Sequence, residues 1–266
     1  MISTHLLFIE LLQMNINQLQ WLIPLIVLFV SFFLSMFGLG GAQLYVPIFY
    51  FLGLNLKTEV IPLALLLNFV SQLSAATIYF KNKLIDIYAG APLMVTAIIF
   101  SFIGAYFTRR VSSQLIVVLI SLLLIIIAIQ KLLSWQPTKK KLSKSKKFFI
   151  GLIAGSLIGF IIGLLGHGGG SFVVPTLLFL GFPAKISVGT SSFVSSFSAM
   201  AGFLAHLKHS TLYLNMVVFG IIAAITGAQL GSRFMVKKIS ERKLNLLFGI
   251  LLLLIGAQLL VVEFLF

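Results

Sequence analysis

The sequence predicts an all-α polytopic membrane protein made of two inverted repeats, each with four long transmembrane helices and one short broken-helix segment. Three observations lead there. Of 266 residues, 60% are hydrophobic and only 9% are charged, whereas charged residues approach a quarter of a soluble domain, so this chain is solvated by lipid. A glycine-rich block at Gly38-Leu39-Gly40-Gly41-Ala42-Gln43-Leu44-Tyr45-Val46-Pro47 returns as Gly166-His167-Gly168-Gly169-Gly170-Ser171-Phe172-Val173-Val174-Pro175, a constant 128 positions later. The same offset relates Leu52-Gly53 to Leu180-Gly181 and Lys57 to Lys185, which marks an internal duplication. Lastly, the 19 basic residues are shared unevenly between the loops.

Taken in order, residues 1–20 read as an interfacial lead-in, because His5 and Glu10 are their only ionisable side chains and a positive n-region is lacking. The first transmembrane repeat is expected over 21–133. Its long apolar runs cover 21–37, 60–80, 87–107 and 115–133, with a short run over 43–54 behind the first glycine block. As a helix, that short run covers only about 20 Å of a hydrocarbon layer about 30 Å thick. Residues 134–147 hold Pro137 and six lysines and form a basic cytoplasmic linker. The second repeat, 148–266, replays the order with long runs over 148–165, 187–207, 212–230 and 244–266 and a short one over 172–182.

Charge decides how many times each half crosses. If the short segments cross, the loops holding Lys81, Lys83, the seven lysines of 131–147, Lys185 and the five basic residues of 233–243 share one face, which collects 15 of the 19. If they dip and return, the partition is 10 against 9. The positive-inside tendency selects the first arrangement, with five crossings per half, both termini outside and the second half inverted. Arg109 and Arg110 fall on the minority face.

Consecutive glycines each give up about 1 kcal/mol of helix propensity relative to alanine, so the helix breaks at both blocks. Such backbone survives at membrane depth only where protein buries it or a cavity receives it, although small residues also serve plain helix packing. Unpaired amides opening the short helices after Gly41 and Gly170 attract an anion, and two such starts converging from opposite leaflets make a midplane anion site. Glu10, Glu59, Asp86, Glu241 and Glu263 all lie at segment ends or in tails, which leaves no central carboxylate for a cation or a proton relay. The candidate substrate-binding residues are Gly40, Gly41, Ala42 and Gln43 in the first block and His167, Gly168, Gly169, Gly170 and Ser171 in the second. Thr190, Ser191 and Ser192 join them, as does Asn68 from the matching polar cluster of the first half. Ser191, Ser195 and Ser198 share one helical face, although serines also bond their own backbone. His167 binds substrate, couples protons or partners a freed carbonyl; Lys57 and Lys185 are anion ligands or snorkel to headgroups.

These motifs resemble the TauE/SafE sulfite exporter family. The likeness rests on the duplicated Gly-x-Gly-Gly-x(5)-Pro blocks, on Gly189-Thr190-Ser191 and on Gly227-Ala228-Gln229-Leu230-Gly231, and it covers nearly the whole chain after residue 20. In the first half Ile61-Pro62-Leu63 stands in place of Gly-Thr-Ser. The resemblance implies a multi-pass secondary carrier of the cell (inner) membrane for small sulfur-containing anions such as sulfite or organosulfonates, driven by ion gradients. A small anion and the lipid bilayer are its expected partners, and a homo-oligomer is compatible with the sequence.

Other classes find less support in the residues. A nucleic-acid binder needs a separate basic domain, and none is legible. No Gly-x(4)-Gly-Lys-Ser/Thr motif supplies ATP, and the absence of cysteine closes thiolate chemistry, so neither cofactor nor metal is expected. An intramembrane hydrolase would use Ser171 as nucleophile and His206 or His167 as base within about 3 Å. A channel or structural membrane protein is the third class.

Overall fold

Proline and glycine set the rhythm of the chain, and they set it twice. The computed structural model describes residues 16–108, 144–166 and 169–240, with single helical positions at Leu115, Val118, Leu122, Ile125 and Ile129 and at Lys243, Leu246, Leu247, Ile250, Leu253 and Leu254. The first half gives α1 (Ile16–Ser35), α2 (Ala42–Phe51), α3 (Ile61–Lys81, entered through a π turn at Leu56–Val60) and α4 (Ile87–Thr108). In the second half come α5 (Lys144–Leu165), α6 (Gly170–Phe179), α7 (Ala184–Leu207) and α8 (Leu214–Lys238). The short helices α2 and α6 are both ten residues long and start 128 positions apart. Among the described residues there is no strand.

Each break is left-handed at its first glycine, Gly38 at φ +68° and Gly166 at φ +65°, a conformation that costs an L side chain about 1–2 kcal/mol. Pro47 and Pro175 then take the sixth place of the short helices, so the carbonyls of Gln43 and Ser171 lose their usual intrahelical donor. A third proline reshapes the entry to α3. Pro62 has no N–H for the Thr58 carbonyl four residues back, and Thr211, from the loop before α8, donates to that oxygen at 2.8 Å. Asn55 caps the turn, its Oδ1 accepting from Lys57 and Thr58 at 3.1 Å each.

Among the described residues, four helices are long and apolar enough to cross a membrane: Leu56–Lys81, Ile87–Thr108, Ala184–Leu207 and Leu214–Lys238. Burial sorts them. The first and third, α3 and α7, are 72% and 67% buried over their apolar windows, against 33% and 39% for α4 and α8. The central pair is therefore α3 and α7. Outward stripes of Trp21, Leu25, Phe29 and Phe33 on α1 and of Phe149, Ile153 and Leu157 on α5 are exposed, as lipid-facing residues are.

The halves exchange partners. In α4 and α5, a β-carbon added at Gly159 would collide with the Ala97 carbonyl, and one at Gly163 with that of Ser101. Likewise, α8 lies on α1 so closely that Gly227 meets the Leu28 carbonyl and Gly231 that of Phe32. Small residues permit such backbone approach, and dispersion at those seams is the main attraction between helices in lipid. In each pair the numbering climbs together, so α4 runs with α5 and α1 with α8. By contrast, Gly202 of α7 meets Leu65 near the start of α3, while Gly189 meets Leu84 just past its end. The two central helices therefore run in opposite senses.

Three boundaries differ from the sequence expectation. The 134–147 linker yields its last four residues to α5, which begins at Lys144. Helix α8 extends beyond the apolar run at 212–230 and carries Arg233, Lys237 and Lys238, which the sequence placed in a loop. A helix ends where its backbone bonding ends, not where its hydropathy does. The chain also folds into helix from Ile16, inside the expected lead-in. The expected spans over 115–133 and 244–266 fall mostly outside the described residues, as do Arg109 and Arg110.

Candidate functional site at the paired helix breaks

Breaking α1 and α5 frees carbonyls, and side chains from the central helices take them up. Tyr79, near the end of α3, donates to the Ser35 carbonyl in the last turn of α1. At the equivalent carbonyl of the other half, Gly163 of α5, His206 near the end of α7 sets Nε2 at 2.9 Å. His206 thus does for α5 what Tyr79 does for α1. Thr108 adds its hydroxyl to the Gly163 and Leu164 carbonyls at 3.2 and 2.9 Å. Buried backbone groups require such partners.

The two breaks touch. A β-carbon at Gly170 would strike the Gly38 carbonyl oxygen and the Leu39 Cα, so only glycine lets the second break approach the first this closely. The same Gly38 oxygen accepts from Gln72 Nε2 at 2.8 Å and from Ser191 Oγ at 2.9 Å, one donor from each half. After its break the chain turns back along α1: Tyr45 lies at 2.6 Å from Ser31 Oγ and donates to the Val27 carbonyl at 3.4 Å.

At the start of α2 the expectation of unpaired amides is corrected. Gly41 and Ala42 donate to Asn68 Oδ1 at 2.9 and 3.3 Å, so the protein supplies its own acceptor there. Asn68 reaches across 27 and 26 residues to act as a helix cap. Gly40 is pressed against Asn68 and Gln72, at φ +71°. Gln43, in the first turn of α2, is fully buried, and neither atom of its amide has a hydrogen-bond partner.

The start of α6 is built otherwise. Phe172 and Val173 donate to the Gly169 carbonyl, so the amides of Gly169 and Gly170 precede the helical ladder. Ser196 occupies the position equivalent to Asn68, but its hydroxyl donates to the Phe193 carbonyl of its own helix at 2.8 Å. No side chain among the described residues accepts from Gly169 or Gly170. Ser195 stands there instead: a β-carbon at Gly169 would lie 3.2 Å from Ser195 Oγ, which is buried and without a partner. Ser171, next in α6, is fully buried. His167 and Gly168 lie outside the described residues.

The predicted hydroxyls of α7 divide by role. Thr190 Oγ1 accepts from the Asp86 amide at 2.8 Å and so ties α7 to the entry of α4. Ser191 holds the Gly38 carbonyl, and Ser192 donates to its own helix at Val188. Ser195 and Gln72 belong with the breaks and stand outside the set chosen from the sequence. The signals were the Ser191, Ser195, Ser198 face and the polar cluster of 68–74. Of the two lysines, Lys185 donates to the Val236 carbonyl at 3.2 Å, near the end of α8. Among the described side chains buried at the breaks there is no Asp, Glu, Lys or Arg.

Two touching breaks among helices exchanged between the halves narrow the choice of relatives, and comparison decides it. Residues 23–259 match the family described as "Sulfite exporter TauE/SafE". The chain belongs to the TauE/SafE family. Among the TauE/SafE chain's relatives is the "Probable membrane transporter protein YunE" of Bacillus subtilis (strain 168), 29% identical over 253 residues, 85% of this chain and 91% of that one. The "Probable membrane transporter protein MJ0441" of Methanocaldococcus jannaschii is 25% identical over 199 residues, 71% of this chain and 74% of its own. A "Probable membrane transporter protein" of Xylella fastidiosa (strain Temecula1 / ATCC 700964) is 36% identical over 106 residues, 39% and 40% of the two chains. No solved structure matches. This TauE/SafE chain is a multi-pass membrane transporter.

Proposed function

We propose that this chain is a secondary carrier of small sulfur-containing oxyanions, sulfite or organosulfonates, which bind near the membrane midplane where the two glycine breaks meet. The single observation carrying the site is the contact of Gly38 with Gly170, shared out between Gln72 and Ser191. Membership of a family described as sulfite exporters supports the substrate class. The relative directions of the helices support inverted repeats: with α1 beside α8, α4 beside α5 and α3 opposed to α7, equivalent helices of the halves point opposite ways. In such a carrier the two ends of the site open alternately as one set of helices rocks against the other. A lining without Asp, Glu, Lys or Arg suits a small anion, because hydrogen-bond donors replace its hydration while no carboxylate repels it and no lysine or arginine traps it.

The test is flux. Purified protein in proteoliposomes should take up sulfite or a small sulfonate saturably and in response to an imposed ion gradient, and cells lacking it should lose sulfite tolerance that the gene restores. Unchanged tolerance together with no flux across a panel of sulfite, thiosulfate, sulfoacetate and taurine would remove this substrate class.

A further inference from the structure

We infer that the anion seat is one-sided: the oxyanion head binds at the start of α6, with Ser195 as a direct ligand, while Asn68 keeps the equivalent start of α2 closed. This rests on the anion-carrier function proposed above and assigns the site within it. The halves share a left-handed glycine before each start and a proline at the sixth helical position. They differ in what meets the first amides. Asn68 Oδ1 sits on the Gly41 and Ala42 amides, where a carboxylate or sulfonate oxygen would otherwise sit. One hundred and twenty-eight positions on, Ser196 turns its hydroxyl to its own helix, and the Gly169 and Gly170 amides receive no such oxygen from the described side chains.

The second observation is independent of the helix start. Ser195 Oγ is fully buried, faces Gly169 and has no hydrogen-bond partner, although a hydroxyl on a helix ordinarily bonds the carbonyl of the preceding turn, as Ser192, Ser196 and Ser198 all do. Unpartnered donors also lie at the α2 break, Gln43 Nε2 and Asn68 Nδ2, but there Asn68 Oδ1 already holds the amides; beside Gly169, where no described side chain does, Ser195 Oγ points to a ligand oxygen. Contact between Gly170 and the Gly38 carbonyl places this seat against the first break, so Gln72 and Ser191 fix its wall without being its donors.

The experiment uses the full chain in detergent, with sulfite and methanesulfonate as probes in calorimetric titration. Replacing Ser195 by alanine should weaken binding about tenfold or more, as expected for one hydrogen bond to a charged group. Ser196→Ala, which removes only a bond to the Phe193 carbonyl, should leave the affinity within about twofold. Because the chain has no cysteine, Ser195→Cys supplies a single thiol, and methanesulfonate should slow its alkylation by a maleimide; this measurement also serves if the alanine variant does not fold. Equal binding by wild type and Ser195→Ala, or alkylation indifferent to methanesulfonate while wild type binds it, overturns the seat alone. Wild type that binds neither probe overturns the seat and the anion-carrier function together.

Discussion

Removing the Asn68 side chain beyond its β-carbon should destabilise the protein markedly through two buried amides. Asn68 is fully buried, and its Oδ1 is the acceptor for Gly41 and Ala42 at 2.9 and 3.3 Å. Alanine leaves both amides without that oxygen, and each unsatisfied buried donor costs about 1–3 kcal/mol, the weaker 3.3 Å bond lying at the lower end. The expected loss is about 2–5 kcal/mol, or roughly 5–15 °C in apparent Tm for a chain of this size. Asn68→Asp keeps an acceptor oxygen for both amides, ionised or protonated, and should recover a substantial part of the loss. Thermal unfolding of wild type and both variants in one detergent, without added anion and at one scan rate, reads the difference. An Asn68→Ala shift below about 2 °C, or an aspartate variant no more stable than alanine, would show that the α2 start does not depend on this cap.

The Gly38 carbonyl offers a second test. Ser191→Ala and Gln72→Ala should each cost about 1 kcal/mol, and the double variant should cost at least 1 kcal/mol more than their sum, since the first loss leaves one donor in place and the second orphans the oxygen. Stability measurements around this mutant cycle decide it, and strict additivity would argue against a shared acceptor. Gly169→Leu should abolish flux with insertion retained, because even a β-carbon there meets Ile162 Cδ1 at 2.5 Å and Ser195 Oγ at 3.2 Å; transport assays beside membrane yield separate the two effects. Gly231→Ile should force α8 off the Phe32 carbonyl and lower apparent Tm by about 2–10 °C, with overpacking of about 1–3 kcal/mol setting the scale.

Much of the helical order was legible because its signals are local. Gly38 and Gly166 mark the breaks by backbone conformation, and the constant offset carries α2 onto α6 and α4 onto α8 within two residues at each end. Short range ends where side chains begin to act across the bundle. Nothing near Asn68 in sequence says that its oxygen caps a helix 27 residues earlier, and nothing near Ser191 names a carbonyl 153 residues away. Those pairings depend on two breaks meeting, which a periodicity cannot encode. The sequence therefore points to the two blocks that meet, while the division between residues that brace the breaks and residues that do not comes from three-dimensional partners. Thr190 is the clearest instance: a hydroxyl beside the second block, yet committed to the Asp86 amide.

The glycine seams between α4 and α5 and between α1 and α8 have a consequence for biosynthesis. When the ribosome has delivered only the first half, α1 and α4 have inserted without the surfaces meant for them, because both of those surfaces lie in the half still to be made. Maturation must then wait for synthesis of the second half, and α1, the first of the described helices, is among the last of them to find its neighbour.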